Sequence, residues 1–221
     1  MKTILLGIVA MGLASSAFAL DKTELNNRLQ TITAKFVSMQ QDPSTRVPAD
    51  QLAHAQGVIL LDRSGGAFII GYHSGTGVAL ARDQKGHWSP PGFISSAGAS
   101  LGAQLGGGKD FFVVLLMSPE VTDALKESSM DFGAQASATS GTSHSGAEAS
   151  VNSGPEVIVY SQHNGLYAGA AIKGGSISAD TDANDIYYDR PFSMDDILFE
   201  RQVAPTPEGT DLISKIEQFS K

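Results

Sequence analysis

Apolar residues in this chain are grouped into short runs that alternate with turn residues. Four runs lie in the middle of the chain, at residues 58–61, 67–72, 77–81 and 111–117. Three more follow, at residues 157–160, 166–172 and 176–179. The runs are rich in Val, Ile, Leu and Phe, are too short for typical buried helices and are bounded by turn residues such as Gly and Asp, which is the pattern of β-strands. A hairpin turn is expected at residues 62–66, because Gly65 and Gly66 accept positive φ.

Helical periodicity occurs near both ends of the chain and once near its centre. Residues 21–41 carry apolar residues at alternating steps of four and three, which form one narrow stripe on a helix. The stripe consists of Leu25, Leu29, Ile32, Phe36 and Met39. A central helix is expected at residues 120–128 with Ser118 as its N-cap, and a C-terminal helix at residues 211–219. The predicted fold class is α+β: a curved, largely antiparallel sheet, which barrel-like closure would protect at its edges, with N-terminal, central and C-terminal helices.

Small residues dominate the segment 88–108, which carries no charge. Gly98, Gly102 and Gly106 recur every four residues, and on a helix they would share one face and permit close packing. Residues 93–97 are a poor strand candidate. The sequence Gly98-Ala99-Ser100-Leu101-Gly102 also fits the G-x-S-x-G pattern of a nucleophile elbow. That mechanism needs a strand running into Ser100 and a regular β/α alternation, which the sequence lacks, so a serine hydrolase at Ser100 is the third and weakest function class.

Several motifs occur in order over roughly residues 52–188. They are Gly57-Val58-Ile59, Gly75-Thr76-Gly77-Val78, Trp88-Ser89-Pro90-Pro91, the glycine-spaced stretch 98–106, and Tyr160-Ser161 with Gly165-Leu166-Tyr167-Ala168-Gly169. In these motifs the chain resembles the SYLF domain family. The resemblance implies a lipid-binding module and no enzymatic activity, and we expect no cofactor. Eukaryotic members are known for phosphoinositide binding and actin association.

Charge limits how such a module meets a membrane. The chain carries 15 basic and 23 acidic side chains, a net charge of −8 at pH 7. Its overall field therefore attracts neither nucleic acid nor an anionic bilayer, and no nucleic-acid partner is expected. Contact with a phospholipid or membrane surface must be local or mainly apolar.

The predicted lipid-binding residues lie on the N-terminal helix and at Trp88. The apolar stripe would enter the lipid, while Lys22, Arg28 and Lys35 would stay near the headgroups. Eukaryotic SYLF proteins are thought to use an N-terminal amphipathic segment in this way. The alternative is that the helix docks on the sheet through the same stripe. Trp88 has the same two interpretations, a lipid contact or a buried wedge.

The first residues have the layout of a secretory signal peptide. Lys2 is followed by an apolar core at residues 4–13 and by the small-x-small site Ala17-Phe18-Ala19. We expect residues 1–19 to be removed and residues 20–221 to form a single SYLF-like domain, periplasmic or secreted, in an exported bacterial member of the family. The chain has no Cys, so it has neither an acylated-Cys anchor nor disulfides.

A second function class and a possible ion site remain alongside lipid binding. The protein could instead bind an envelope or host protein, or have a structural role in the envelope. Asp180, Asp182 and Asn184 alternate like the start of a calcium loop, but Asp185 stands where that loop requires Gly. No other motif indicates a metal site or an active site.

Overall fold

A computed structural model describes residues 20–66, 70–101, 108–127, 129–131, 156–162, 165–166 and 175–221. The fold is α+β, as predicted. The strands are β1 Gly57–Gly66, β2 Ile70–Ala81, β3 Gly92–Leu101, β4 Gly108–Leu116, β5 Ser129–Asp131, β6 Val157–Ser161, β7 Gly165–Leu166 and β8 Gly175–Ala179. The helices are α1 Lys22–Gln41, α2 Ala49–His54, α3 Pro119–Asp123, α4 Thr181–Tyr188, α5 Met194–Leu198 and α6 Pro207–Phe219, and a 3₁₀ turn, Ala124–Lys126, continues α3.

The eight described strands form one antiparallel, curved sheet in the order β5-β8-β3-β2-β1-β4-β6-β7. The first two strands in the sequence, β1 and β2, therefore occupy its centre. The edge strands β5 and β7 lie at opposite ends of this order and do not pair with each other, so the described strands form an open sheet and not a closed barrel.

The central strands are longer than the apolar runs predicted. β1 continues through residues 62–66, which were expected to form a turn, and Gly66 pairs with Tyr72. The predicted turn at residues 62–66 is therefore wrong, and residues 67–69 lie outside the described residues. β2 likewise joins two predicted strands into one. A Cβ on Gly75 would lie 2.8 Å from the Asp62 carbonyl oxygen, so this glycine permits close approach of β1 and does not mark a turn.

The helical interpretation of the glycines at 98, 102 and 106 is wrong for Gly98. That residue lies in β3, where it pairs with His73 of β2 on one side and Gly175 of β8 on the other. Residues 93–97, a poor strand candidate by sequence, also belong to β3. Small side chains are accepted in this strand because both neighbouring strands complete its hydrogen-bond ladder. Gly102 and Gly106 lie outside the described residues.

The sheet is covered by helices on both faces. Along β1, Val58 and Leu60 point into one hydrophobic cluster, whereas Ile59 and Leu61 point into another. Helices α1, α2, α4 and α6 cover the first face, and α3 and α5 cover the second. Burial on both faces explains why the strands read as continuous apolar runs.

The helix boundaries follow their capping residues. Asp21 accepts a hydrogen bond from the Glu24 amide at the start of α1, and Ser118 caps α3 as predicted. The C-terminal helix begins at Pro207, earlier than expected, with Thr206 as its N-cap. No described helix combines the length and the apolar character that crossing a membrane requires.

Candidate functional site

Helix α1 is docked on the body through its apolar stripe. The five stripe residues are each no more than 1% exposed, and they share a cluster with Leu212 and Ile216 of α6. The ring of Phe36 meets that of Phe219 edge to face, with centroids 5.9 Å apart. In this conformation the N-terminal helix is therefore docked on the body, which is the alternative to lipid insertion given above. Lipid contact through Leu25, Leu29, Ile32, Phe36 and Met39 stays a prediction that requires α1 to leave the body.

The three predicted headgroup cations are all paired with carboxylates. Lys22 contacts Asp189 just after α4, and Arg28 lies 3.5 Å from Asp180 just before it. Lys35 is paired with Asp62 of β1 at 2.5 Å, where both side chains are partly buried. The ion pairs tie α1 to the body at three points and neutralise the charges that were expected to attract headgroups.

Trp88 is buried beneath the Arg82 side chain. Its side chain is buried at 5% exposure, and the Arg82 guanidinium lies 4.3 Å from the ring centroid. Arg82 also donates hydrogen bonds to the carbonyl oxygens of Leu52 and Ala53 at the end of α2. Burial lowers the pKa of Arg82 from its ordinary value, and the nearby Glu217 of α6 opposes that shift. Arg82 thus joins β2, α2 and the surroundings of α6, and lipid contact by Trp88 stays a prediction.

The other candidate motifs have structural positions. Ser100 pairs with Gly71 inside β3, which continues to Leu101, whereas a nucleophile elbow needs the strand to end at the serine. Asp180 is the N-cap of α4. Asn184 accepts a hydrogen bond from the Phe93 amide and donates one to the Phe93 carbonyl, so it holds α4 against β3. Within the described ranges, no three His or acidic side chains are grouped closely enough to hold a metal ion.

A cleft that the sequence did not predict lies where the ends of α1 and α6 meet. We call it the C-terminal cleft; it has a volume of about 600 Å³. It is lined by Gln40, Pro43, Arg46, Val47, Pro48, Ala49, Gln218, Phe219 and Lys221. Two of these residues have basic side chains and none has an acidic side chain, in a chain of net charge −8.

The turn after α1 shapes one wall of the C-terminal cleft. The side-chain oxygen of Gln40 accepts a hydrogen bond from the Val47 amide at 2.8 Å, and the Thr45 hydroxyl donates to the Met39 carbonyl. These bonds fold residues 42–48 back onto the end of the helix. Pro43 and Pro48 bracket Arg46 in the sequence, which is the signal that could have drawn attention to this turn.

Comparison with known proteins gives a family match and several relatives. The family described as "Ysc84: Las17-binding protein actin regulator" matches residues 97–219. LAS seventeen-binding protein 3 of Saccharomyces cerevisiae is 28% identical over 193 residues, 84% of this chain and 42% of the relative. Protein YSC84 of the same yeast is 29% identical over 176 residues, 77% of this chain and 37% of the relative.

A mammalian relative has a similar degree of likeness. SH3 domain-containing YSC84-like protein 1 of Bos taurus is 26% identical over 188 residues, 84% of this chain and 55% of the relative. The chain therefore spans about half or less of the length of these curated relatives. No solved structure gives a significant match.

Proposed function

This chain belongs to the Ysc84 family of SYLF domains, and we propose that it is a non-catalytic protein that binds phospholipid at a membrane surface. The family match over residues 97–219 carries this proposal, because SYLF domains are known as lipid-binding modules. We further propose that residues 1–19 direct its export and that the protein acts in the periplasm or outside the cell. Edman sequencing of the exported protein should then begin at Leu20.

Co-sedimentation with vesicles tests the lipid proposal. Residues 20–221 should sediment with vesicles that contain phosphatidylglycerol, and less with vesicles of phosphatidylcholine alone. Phosphoinositide vesicles of equal surface charge form a third arm, and we expect no preference for them over phosphatidylglycerol. If the protein stays in the supernatant in every arm, lipid binding is refuted.

Contact through the α1 stripe would need the helix to be released. Each stripe side chain gains roughly 1.5–3 kcal/mol from burial, so together they contribute about 10 kcal/mol. That is comparable with the whole stability of a domain, about 5–15 kcal/mol. Release can therefore occur only where a bilayer takes up the stripe as α1 leaves. We propose that the docked body binds lipid first and that any insertion of α1 follows.

A cross-link decides between the docked body and the released helix. The chain contains no Cys, so a Lys22→Cys, Asp189→Cys variant offers a unique pair of exposed thiols that a short bis-maleimide can join. If the docked body binds, linked and unlinked forms should bind vesicles equally. If insertion is essential, the linked form alone should lose binding. Substitution of stripe residues by Asp cannot make this distinction, because it would also remove the core.

Protein binding is the second candidate, and the names of the relatives favour it. The family description and one yeast relative, LAS seventeen-binding protein 3, are named for binding to Las17. By analogy, this chain would bind an envelope or host protein through its surface. Affinity capture from an envelope extract, run beside the vesicle assay, separates the two: a stoichiometric protein partner without vesicle binding would replace the lipid proposal.

The absence of catalysis is also a proposal and needs its own test. A serine hydrolase at Ser100 would react with a fluorophosphonate probe. We expect no labelling of the folded protein, because β3 continues through Ser100 and forms no elbow there. Labelling that disappears in a Ser100→Ala variant would overturn this part of the proposal.

A further inference from the structure

The C-terminal cleft presents hydrogen-bond donors that no described residue engages. The guanidinium of Arg46 is exposed and forms no ion pair or hydrogen bond within the described part of the chain. Gln40 is only 7% exposed, and its carbonyl oxygen is engaged by Val47, while its amide group donates to no described residue. Both groups line the same cleft. Donors without matching acceptors favour an anionic ligand.

No acidic side chain in the lining competes for these donors. Asp42 and Asp50 each lie four positions from Arg46 in the sequence, and neither is part of the lining; Asp42 is engaged by the amide and hydroxyl of Ser44. This separates the cleft from α1, where each predicted headgroup cation already has a carboxylate partner. An anion would therefore gain from Arg46 an interaction that no described residue now supplies.

Part of the lining of the C-terminal cleft is apolar. Pro48 is exposed and Phe219 is partly buried, and the Phe219 ring is held in place by its edge contact with the buried Phe36. A volume of about 600 Å³ lies within the range of small-molecule sites, roughly 300–1,000 Å³. A free inorganic anion would leave most of this volume and all of the apolar wall unused. The lining thus matches a ligand with one anionic end and one apolar end.

We infer that the C-terminal cleft binds the phosphate and the adjoining glycerol and acyl carbons of an anionic phospholipid. Arg46 and the Gln40 amide hold the phosphate, and Pro48 and Phe219 contact the apolar part. This inference rests on the proposed function and gives it a location. It also allows the docked protein to bind lipid without the release of α1.

Charge reversal at Arg46 tests whether lipid binds at the cleft or only responds to the net charge of the protein. Arg46→Glu should weaken partitioning onto phosphatidylglycerol vesicles by about tenfold, because it removes a cation from the contact and adds an anion. Arg190→Glu is the matched control, since Arg190 is also exposed, lies outside the cleft and gives the same change in net charge. It should stay within about threefold of the wild type. Arg46→Lys should restore most of the affinity.

Filling the cleft tests the contribution of its shape. Gln218 is exposed and lines the cleft, so Gln218→Trp should obstruct the ligand and lower vesicle binding at least as much as Arg46→Glu. Gln30→Trp places the same ring on the exposed face of α1 and should bind at least as well as the wild type. Equal thermal unfolding of the two variants ensures that the comparison concerns the site and not the fold.

Short-chain lipid and free phosphate distinguish two sources of the anion. Dihexanoylphosphatidylglycerol, below its micellar concentration, should shift the amide resonances of residues 40–49 and 218–221 in a saturable manner. Inorganic phosphate at equal concentration should not do so. If phosphate alone reproduces these shifts with similar affinity, the cleft is an anion site and the lipid inference is overturned.

Failure of this inference differs from failure of the proposed function. If the wild type binds vesicles and Arg46→Glu binds as well as Arg190→Glu, the cleft is not the site while lipid binding stands. If the wild type binds no anionic vesicle and no short-chain lipid, both are overturned. Loss of binding in Arg46→Glu and Gln218→Trp with retention in their two controls supports the cleft.

Discussion

Two regions of the molecule combine apolar and basic side chains: helix α1 and the C-terminal cleft. In α1 the apolar residues are covered by the sheet and α6, and the predicted headgroup cations are paired with carboxylates. In the cleft the apolar wall borders open volume, and Arg46 has no partner among the described residues. The same types of side chain thus stabilise the fold in one region and offer a surface for a ligand in the other.

The difference shows that amphipathic character alone does not identify a membrane contact. What matters is whether the body already covers the apolar face and already neutralises the charges. For α1 both conditions hold, so its composition is explained by packing. In the cleft Pro48 is exposed, Phe219 is only partly covered, and Arg46 has no partner among the described residues. The following predictions test this contrast, beginning with the largest expected effect.

Loss of the Phe36 ring should destabilise the protein most. Phe36→Ala removes a fully buried ring that contacts Phe219, so we expect the free energy of unfolding to fall by about 3–5 kcal/mol in urea titrations. Ser38→Ala, on the exposed face of the same helix, should change it by less than about 0.5 kcal/mol. A small effect of Phe36→Ala would mean that α1 is not docked in solution and would break the contrast.

Removal of the Arg82 guanidinium should weaken the attachment of α2 to the end of β2. Arg82→Met leaves the Leu52 and Ala53 carbonyl groups without their charged donor, so we expect a loss of about 2 kcal/mol. Trp88 is the only tryptophan, and its emission should shift to longer wavelength as water reaches the ring. Arg82→Lys keeps a charge over the ring and should give an intermediate result. An unchanged spectrum in Arg82→Met would contradict the described stacking.

The ion pairs of α1 should contribute unequally. Lys35 and Asp62 are both partly buried, so Lys35→Met should cost about 1 kcal/mol, whereas the more exposed pair of Lys22 and Asp189 should contribute less than about 0.5 kcal/mol. A double-mutant cycle with Asp62→Asn isolates the coupling for the first pair. Coupling near zero would show that the pair of Lys35 and Asp62 does not help to hold α1.

The smallest expected effect is a titration at the edge of the cleft. Hydrogen bonds from the Ser44 hydroxyl and amide lower the pKa of Asp42 below its ordinary value. Because the pKa is lower in the folded state, the stabilising contribution is present above about pH 4 and is lost as the pH falls through the folded value. Ser44→Ala should raise the Asp42 midpoint towards the ordinary value in an NMR titration. An unchanged midpoint would show that this turn is not held as described.

Local patterns in the sequence predicted much of the helical structure. The stripe of α1 and the cap Ser118 depend on residues close in sequence, and the structure confirms them as helix-forming features. The periodicity could not tell whether α1 faces lipid or the body. That outcome depends on Leu212 and Ile216 of α6, which lie far away in the chain and provide the covering surface.

Glycine-rich strands and the cleft were harder to predict for a related reason. Gly75 was interpreted as a turn residue, yet it lies within β2 because the backbone of β1 approaches it closely. Small residues in β3 were interpreted as helical, although its two neighbouring strands hold it extended. Arg46 and Phe219 line the same cleft although they lie far apart in the sequence, and no local sequence pattern around either residue shows that they are close in space.

The position of β1 and β2 at the centre of the sheet affects how this protein can be divided into fragments. The stretch that matches the family description starts at residue 97, within β3, and so omits both central strands. A fragment cut at that boundary would contain β4 and part of β3 without the two strands that lie between them. The stretch covered by the family match is thus smaller than the sheet to which it belongs, and fragments made for expression should begin ahead of α1.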